Sequence, residues 1–318
     1  MINLLMRRLV SIILLVLLGV GVGGVVYAQG LEWEKLNAEV VMLYQQGNYE
    51  RAIEVAKQAL QVAEQAVGLD HPSVATSLNN LAMLHQAQGQ YDEAEPLYQR
   101  ALAINEQARG PDHPDVATSL HNLAALYGAQ DLFEKAMPFS QRALAIDERV
   151  LGPDHPRVAT SLNNLAMLYE AQGQFVQAES LYKRILRIRE QVFGSDHPAV
   201  AKSLDDLGLL YHAQRQYAEA EPLFKRAQTI REQALGPNSP AVGTSLNNLA
   251  LLYHAQGRYA EAEPLYKRAL EIWRQVLGPN SPAVATTLES MAALYRKTER
   301  DKEAQELEQQ AEAIRAKP

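Results

Sequence analysis

The sequence contains no cysteine. Disulfides, cysteine-based zinc sites, thiol nucleophiles and a lipidated-cysteine leader are therefore excluded. It also lacks any excess of positive charge: 30 Lys and Arg stand against 37 Asp and Glu, for a formal charge of −7. A nucleic-acid-binding surface needs clustered cations, so no nucleic-acid partner is expected. No Ser/His/Asp set or carboxylate pair stands apart from the rest of the chain, because nearly every candidate polar residue recurs at a fixed interval. An active site is a single constellation of residues. The chain therefore reads as non-enzymatic, with no cofactor and no metal. Gly19, Gly21, Gly23 and Gly24 superficially suggest a nucleotide loop, but they lie in an apolar leader with no amphipathic helix after them.

What is present is one phrase written seven times. Its clearest copy is Ala159–Val192, with near copies beginning at Ala75, Ala117, Ala201, Gly243 and Ala285 and a degenerate one at Trp33. The step is 42 residues, giving repeats at 33–66, 75–108, 117–150, 159–192, 201–234, 243–276 and 285–318. A fixed period of this length predicts a solenoid, in which each unit buries its apolar face against its neighbours. Within 33–318 no room remains for a separate catalytic domain.

Each repeat predicts two helices. Counting from the first residue of a repeat, position 4 is Leu in all seven, position 8 is small in six, and position 11 is mostly Tyr. Positions 4, 7, 8 and 11 make one stripe of a helix of 3.6-residue period, helix A. Gly47, Gly89, Gly173 and Gly257 at position 15 predict a left-handed break. Helix B follows, with Ala at position 20 in every repeat and an aromatic at position 24 in four. The uniform Ala predicts a close approach of A and B. Pro96, Pro138, Pro222 and Pro264 at position 22 are expected near the first turn of helix B, where N–H groups lack partners anyway. The His-Pro and Ser-Pro pairs before each helix A predict a polar cap followed by Pro at the first helical position. The histidines at 71, 113, 155 and 197 stand 42 residues apart without a ligand-spaced partner, so capping is the expected role rather than metal binding.

Residues 1–28 fall outside the repeat. Arg7 and Arg8 precede an uncharged run, Leu9–Val26, and Val26-Tyr27-Ala28 offers a small-residue cleavage site before Gln29. This layout predicts a secretory signal peptide, with an uncleaved membrane anchor as the alternative. Either way the repeats are expected outside the cytoplasm, periplasmic or secreted, and any membrane association would run through residues 1–28. Losing Arg7 and Arg8 leaves a charge of −9.

The pattern resembles tetratricopeptide repeats. The 42-residue step, inter-repeat segments such as LGPDHPRV at 151–158 and the T-S-L-N-N-L-A-x-L-Y run resemble the kinesin light chain type specifically. The resemblance spans residues 33–318 and implies an all-α, right-handed superhelical solenoid of seven helix-turn-helix hairpins. It also implies a concave groove lined by positions 2, 5, 6, 9, 12 and 13 of helix A, whose Asn side chains hold the backbone of a bound peptide. The matching residues are Asn79, Asn80, Asn122, Asn163, Asn164, Asp205, Asp206, Asn247 and Asn248. An Asn amide carries a donor and an acceptor, which suits an extended peptide backbone. Asp205-Asp206 makes a negative step in this row, suited to a basic ligand residue. The expected function is an exported protein–protein interaction scaffold that takes an extended peptide or partner segment. The alternatives are a self-associating element of the cell envelope, or a motor-adaptor role if residues 1–28 are not an export signal.

Overall fold

The computed structural model describes residues 29–316; the expected leader at 1–28 lies outside them. Among the described residues there are fourteen helices in consecutive hairpins and no strand. The chain divides into two compact units, 1–153 and 154–318. The first holds α1 (29–45), α2 (Tyr49–Val67), α3 (Pro72–Ala87), α4 (Tyr91–Arg109), α5 (Pro114–Ala129) and α6 (Phe133–Leu151). The second holds α7 (Pro156–Ala171), α8 (Phe175–Phe193), α9 (Pro198–Ala213), α10 (Tyr217–Leu235), α11 (Pro240–Ala255), α12 (Tyr259–Val276), α13 (Pro282–Lys297) and α14 (Asp301–Arg315). Odd-numbered helices are the A helices. Within each unit every A helix packs on its own B helix, and each B helix packs on the next A helix.

The boundaries follow from local chemistry. Pro72 occupies the first helical position of α3, and Nδ1 of His71 accepts the backbone N–H of Ser73. His113, His155 and His197 cap α5, α7 and α9 in the same way, while Ser239 accepts the Val242 N–H at α11. At the other end of helix A, the position-16 N–H donates back to the position-11 carbonyl, as in Gln90 to His85 and Gln174 to Tyr169. That bond closes a turn whose position-15 residue is left-handed. Gly89 and Gly173 supply it at φ +73° and +71°, whereas Asp131, Arg215 and Glu299 take the same conformation without glycine's freedom.

Packing confirms the close approach. The position-20 alanines, from Ala52 to Ala304, are fully buried. Gly208 at position 8 shows how tight this contact is: a Cβ there would lie 2.6 Å from Cε1 of Phe224, itself fully buried. The buried leucines at positions 4, 7 and 10 each remove a whole side chain from water, a gain of about 2 kcal/mol apiece. Position 10 differs between repeats: Leu84, Leu126, Leu210 and Leu252 are fully buried, whereas Met42 in the first repeat is half-exposed.

One expectation needs correction. Helix B starts at position 17, so Pro96, Pro138, Pro222 and Pro264 are its sixth residues, inside the helix rather than in its free first turn. Each leaves the carbonyl four residues back without its normal donor. The helix tolerates this, and α8, with Ser180 at that position, has the same length.

Candidate functional site

In the first unit, the predicted row meets a cavity of about 440 Å³. Asn79, Asn80 and Asn122 line it together with Trp33, Thr76, Met83 and Thr118. These come from one face of α3 and α5, with α1 contributing the indole. The helical repeat places positions 2, 5, 6 and 9 of each A helix on that face. The Trp33 indole N–H donates to Ser77 Oγ at 2.8 Å, which fixes the ring at the cavity wall. Asn80 donates to Asn37 Oδ1 at 2.7 Å. Oδ1 of Asn79 is buried without a hydrogen-bond partner.

In the second unit the same positions are differently occupied. Asn163 and Asn164 are half-buried on α7, near the exposed Met167. Asn248 on α11 is buried, and Asn247 Oδ1 is buried without a partner, as at Asn79. The acidic step is neutralised. Asp205 is buried and paired with Arg231, which also donates to Ser245, while Asp206 accepts from Lys202 at 2.9 Å. Burial pushes the Asp205 carboxyl up, and Arg231 and the neighbouring Asn248 amide work against that rise. A pair already matched within the fold offers no free negative charge to a basic ligand residue.

The predicted row also omits a second one. In the third, fifth and seventh repeats position 31 of helix B meets position 5 of its own helix A, and Asn105, Arg189 and Arg231 at this position reach the buried serines at position 3 of the next repeat. Asn105 donates to Ser119 at 3.0 Å, Arg189 to Ser203 at 2.8 Å, and Arg231 to both Asp205 and Ser245. Burial lowers the Arg189 pKa. The sequence carries a signal for this row: position 31 reads Ala63, Asn105, Asp147, Arg189, Arg231, Trp273 and Arg315 in an otherwise uniform repeat. At position 12, burial lowers the pKa of His212 and His254, each of which packs on a Tyr ring. Among the described residues no three His, Asp or Glu side chains converge as a metal site would require.

The tetratricopeptide repeat family model matches residues 36–106, 73–149, 207–270 and 241–317, and the nephrocystin-3 TPR domain model matches 131–234. The chain belongs to the tetratricopeptide repeat family. No curated protein sequence gives a significant match. Among solved structures, the tetratricopeptide array is similar to BtubC (BKLC) from P. vanneervenii, at 27% identity and TM-score 0.60, covering 76% of this chain and 92% of that one. A putative kinesin light chain of Podosopora anserina, with nearly identical TPR-like repeats, matches at 30% identity and TM-score 0.58 over 64% of this chain and 97% of that one. A Rap protein complexed with Competence and Sporulation Factor, at 16% identity and TM-score 0.60 over 90% of this chain and 75% of that one, shares the fold. The array is thus a kinesin light chain-like tetratricopeptide protein. Its fold is that of a protein–protein interaction scaffold, a class that is generally non-catalytic.

Proposed function

We propose that the array binds an extended peptide, or an extended segment of a partner protein, along the asparagine-lined face of its A helices. The observation that carries this reading is the first-unit cavity, where four asparagines, two threonines and the apolar Trp33 and Met83 converge. Amides and hydroxyls match the donors and acceptors of a peptide backbone, and the apolar groups give its side chains somewhere to bury. In the second unit Met167 and Leu209 hold the same repeat position as Met83 and are exposed, and Met167 lies against Asn163. The first repeat carries Lys35 and Glu39 where other repeats place a buried Ser or Thr and a Leu or Met. Polar ends favour ligand binding over end-to-end self-association.

Export completes the proposal: Arg7-Arg8, the uncharged run and Val26-Tyr27-Ala28 would place the array outside the cytoplasm after cleavage before Gln29. Intact-mass measurement of exported protein tests this, and retention of residues 1–28 would leave only the anchored form.

For binding, a peptide selected against the chain from a random displayed library serves as probe. A photo-crosslinking residue at Met83 or Met167 should capture it, and one at Val176, which is 78% exposed on α8, should not. Capture at Val176 alone would move the binding surface off the A helices.

A further inference from the structure

Sulfur chemistry in this chain is confined to methionine, because there is no cysteine. Met42, Met83, Met137, Met167 and Met291 fall among the described residues, and their burial differs. Met291 is buried at 4% exposure, Met83 and Met137 are partly buried, and Met42 and Met167 are exposed at 50% and 57%. An oxidant must reach the sulfur itself, so the two exposed thioethers react first.

Those two are not alike. Met167 lies one turn after Asn163 on α7, where residues four apart are neighbours. Asn163 Nδ2 donates to the Met167 sulfur at 3.4 Å. A thioether is a weak acceptor, so it holds this amide loosely. Met42 has Ala38 at the corresponding place, with no amide to offer. Met167 also stands alone in its row. The same repeat position is Leu209 in α9, Leu251 in α11 and Ala293 in α13, so within the second unit an oxidant can change that row at one point only.

We propose that Met167 is a reversible oxidation site that closes this stretch of α7 to ligand. The oxidant is a peroxide. A sulfur lone pair forms the S–O bond as the O–O bond breaks, and the departing oxygen leaves as hydroxide. The transferred oxygen gives its proton to that hydroxide, which becomes water; sulfur loses two electrons and the peroxide gains them. The product is a sulfoxide, a strong dipole whose oxygen accepts the Asn163 N–H far better than the sulfur did. Oxidation therefore commits the amide to its own helix and removes an apolar contact from the same spot. Because Met167 lies outside the core, the fold is untouched. A methionine sulfoxide reductase, drawing on a thiol, takes the oxygen off again as water. The loss of ligand rests on the peptide-binding reading above; the site of oxidation does not.

The test treats the purified full chain with limiting hydrogen peroxide, removes the oxidant, and maps proteolytic peptides by mass. Met167 should gain one oxygen atom before Met83, Met137 or Met291 gains any. The oxidised chain should bind the library-selected fluorescent peptide roughly fivefold more weakly, the worth of one hydrogen bond, with an unchanged melting curve. Met167→Leu should keep whatever affinity it has before treatment, whereas Met42→Leu should lose affinity as the parent does. A sulfoxide reductase with a dithiol should restore both mass and affinity. Oxidation of Met83 or Met137 ahead of Met167 would overturn the site. An oxidised Met167 with unchanged affinity, or an equal loss in Met167→Leu, would overturn the switch. The Met83 crosslink then judges the groove reading separately: capture there leaves the groove standing, and its loss removes the groove as well.

Discussion

At the residue scale, stability turns on side chains that have no room and on buried charges that need their partners. Gly208 has no room. Its Cβ would enter the ring of Phe224, which is fully buried and cannot swing aside. Gly208→Ala should therefore destabilise the second unit by about 1–3 kcal/mol, the usual cost of overpacking, read as a lower denaturation midpoint. Arg231 is the buried cation that Asp205 pairs with. Asp205→Ala would strand the Arg231 guanidinium in the interior, at a cost of about 3 kcal/mol. A variant as stable as the parent would mean that water already reaches the pair. The position-6 row belongs here as well. Its residues were legible from the sequence as one helix face, but their burial was not. Asn248 is buried, and Asn80 is bonded to the preceding repeat, because neighbouring A helices approach closely enough to share amides.

At the element scale, helix A was almost fully legible. The His-Pro caps, the stripe at positions 4, 7, 8 and 11 and the left-handed turn all depend on local chemistry that one repeat contains. Helix B was less so. Its start at Tyr91 or Phe175 lacks a side-chain cap, so nothing in the sequence marked the boundary that puts proline inside the helix. Pro222→Ala should therefore restore a hydrogen bond and raise stability by about 1 kcal/mol or more, visible as a higher melting temperature. The junctions between repeats were illegible for a different reason: their partners lie 32 or 37 residues apart. Tyr253 and Arg258 both bond Glu221, and Tyr295 and Arg300 both bond Glu263. Lys225, Arg258 and the Tyr253 hydroxyl hold the Glu221 carboxyl down at about 2. At Glu263 burial pulls upward, but Lys267, Arg300 and the Tyr295 hydroxyl outweigh it and leave the carboxyl at about 2. Depressed carboxyls stabilise the fold above their ordinary pKa near 4.5 and lose that contribution as pH falls towards 2. With solvent screening the effect is about 1 kcal/mol for each. The parent should be more stable than Glu221→Gln with Glu263→Gln at pH 6, and the gap in melting temperature should close between pH 4.5 and 2. A gap independent of pH would show that the network holds by shape rather than charge.

At the scale of the whole molecule, a repeat array must end without exposing the surface its neighbours bury. The last helix, α14, buries only Ala304 and Ala311 and turns Glu306 and other charged residues outward. Deleting residues 285–318 would uncover the side of α12 on which α13 packs and should promote aggregation relative to the parent, as size-exclusion chromatography would report. The period made the solenoid legible from sequence alone, since seven copies of one amphipathic hairpin have no other way to bury their faces. The candidate surface was only partly legible. Asparagines repeated by duplication look alike in sequence, and only the structure shows which of them are buried and what they bond. The most direct test of the central claim is nuclear magnetic resonance of the asparagine side-chain amides during titration with the selected peptide. The amide signals of Asn79, Asn80 and Asn122, which line the first-unit cavity, should shift and saturate with the binding curve. Those three signals staying fixed while the peptide binds to saturation would contradict it.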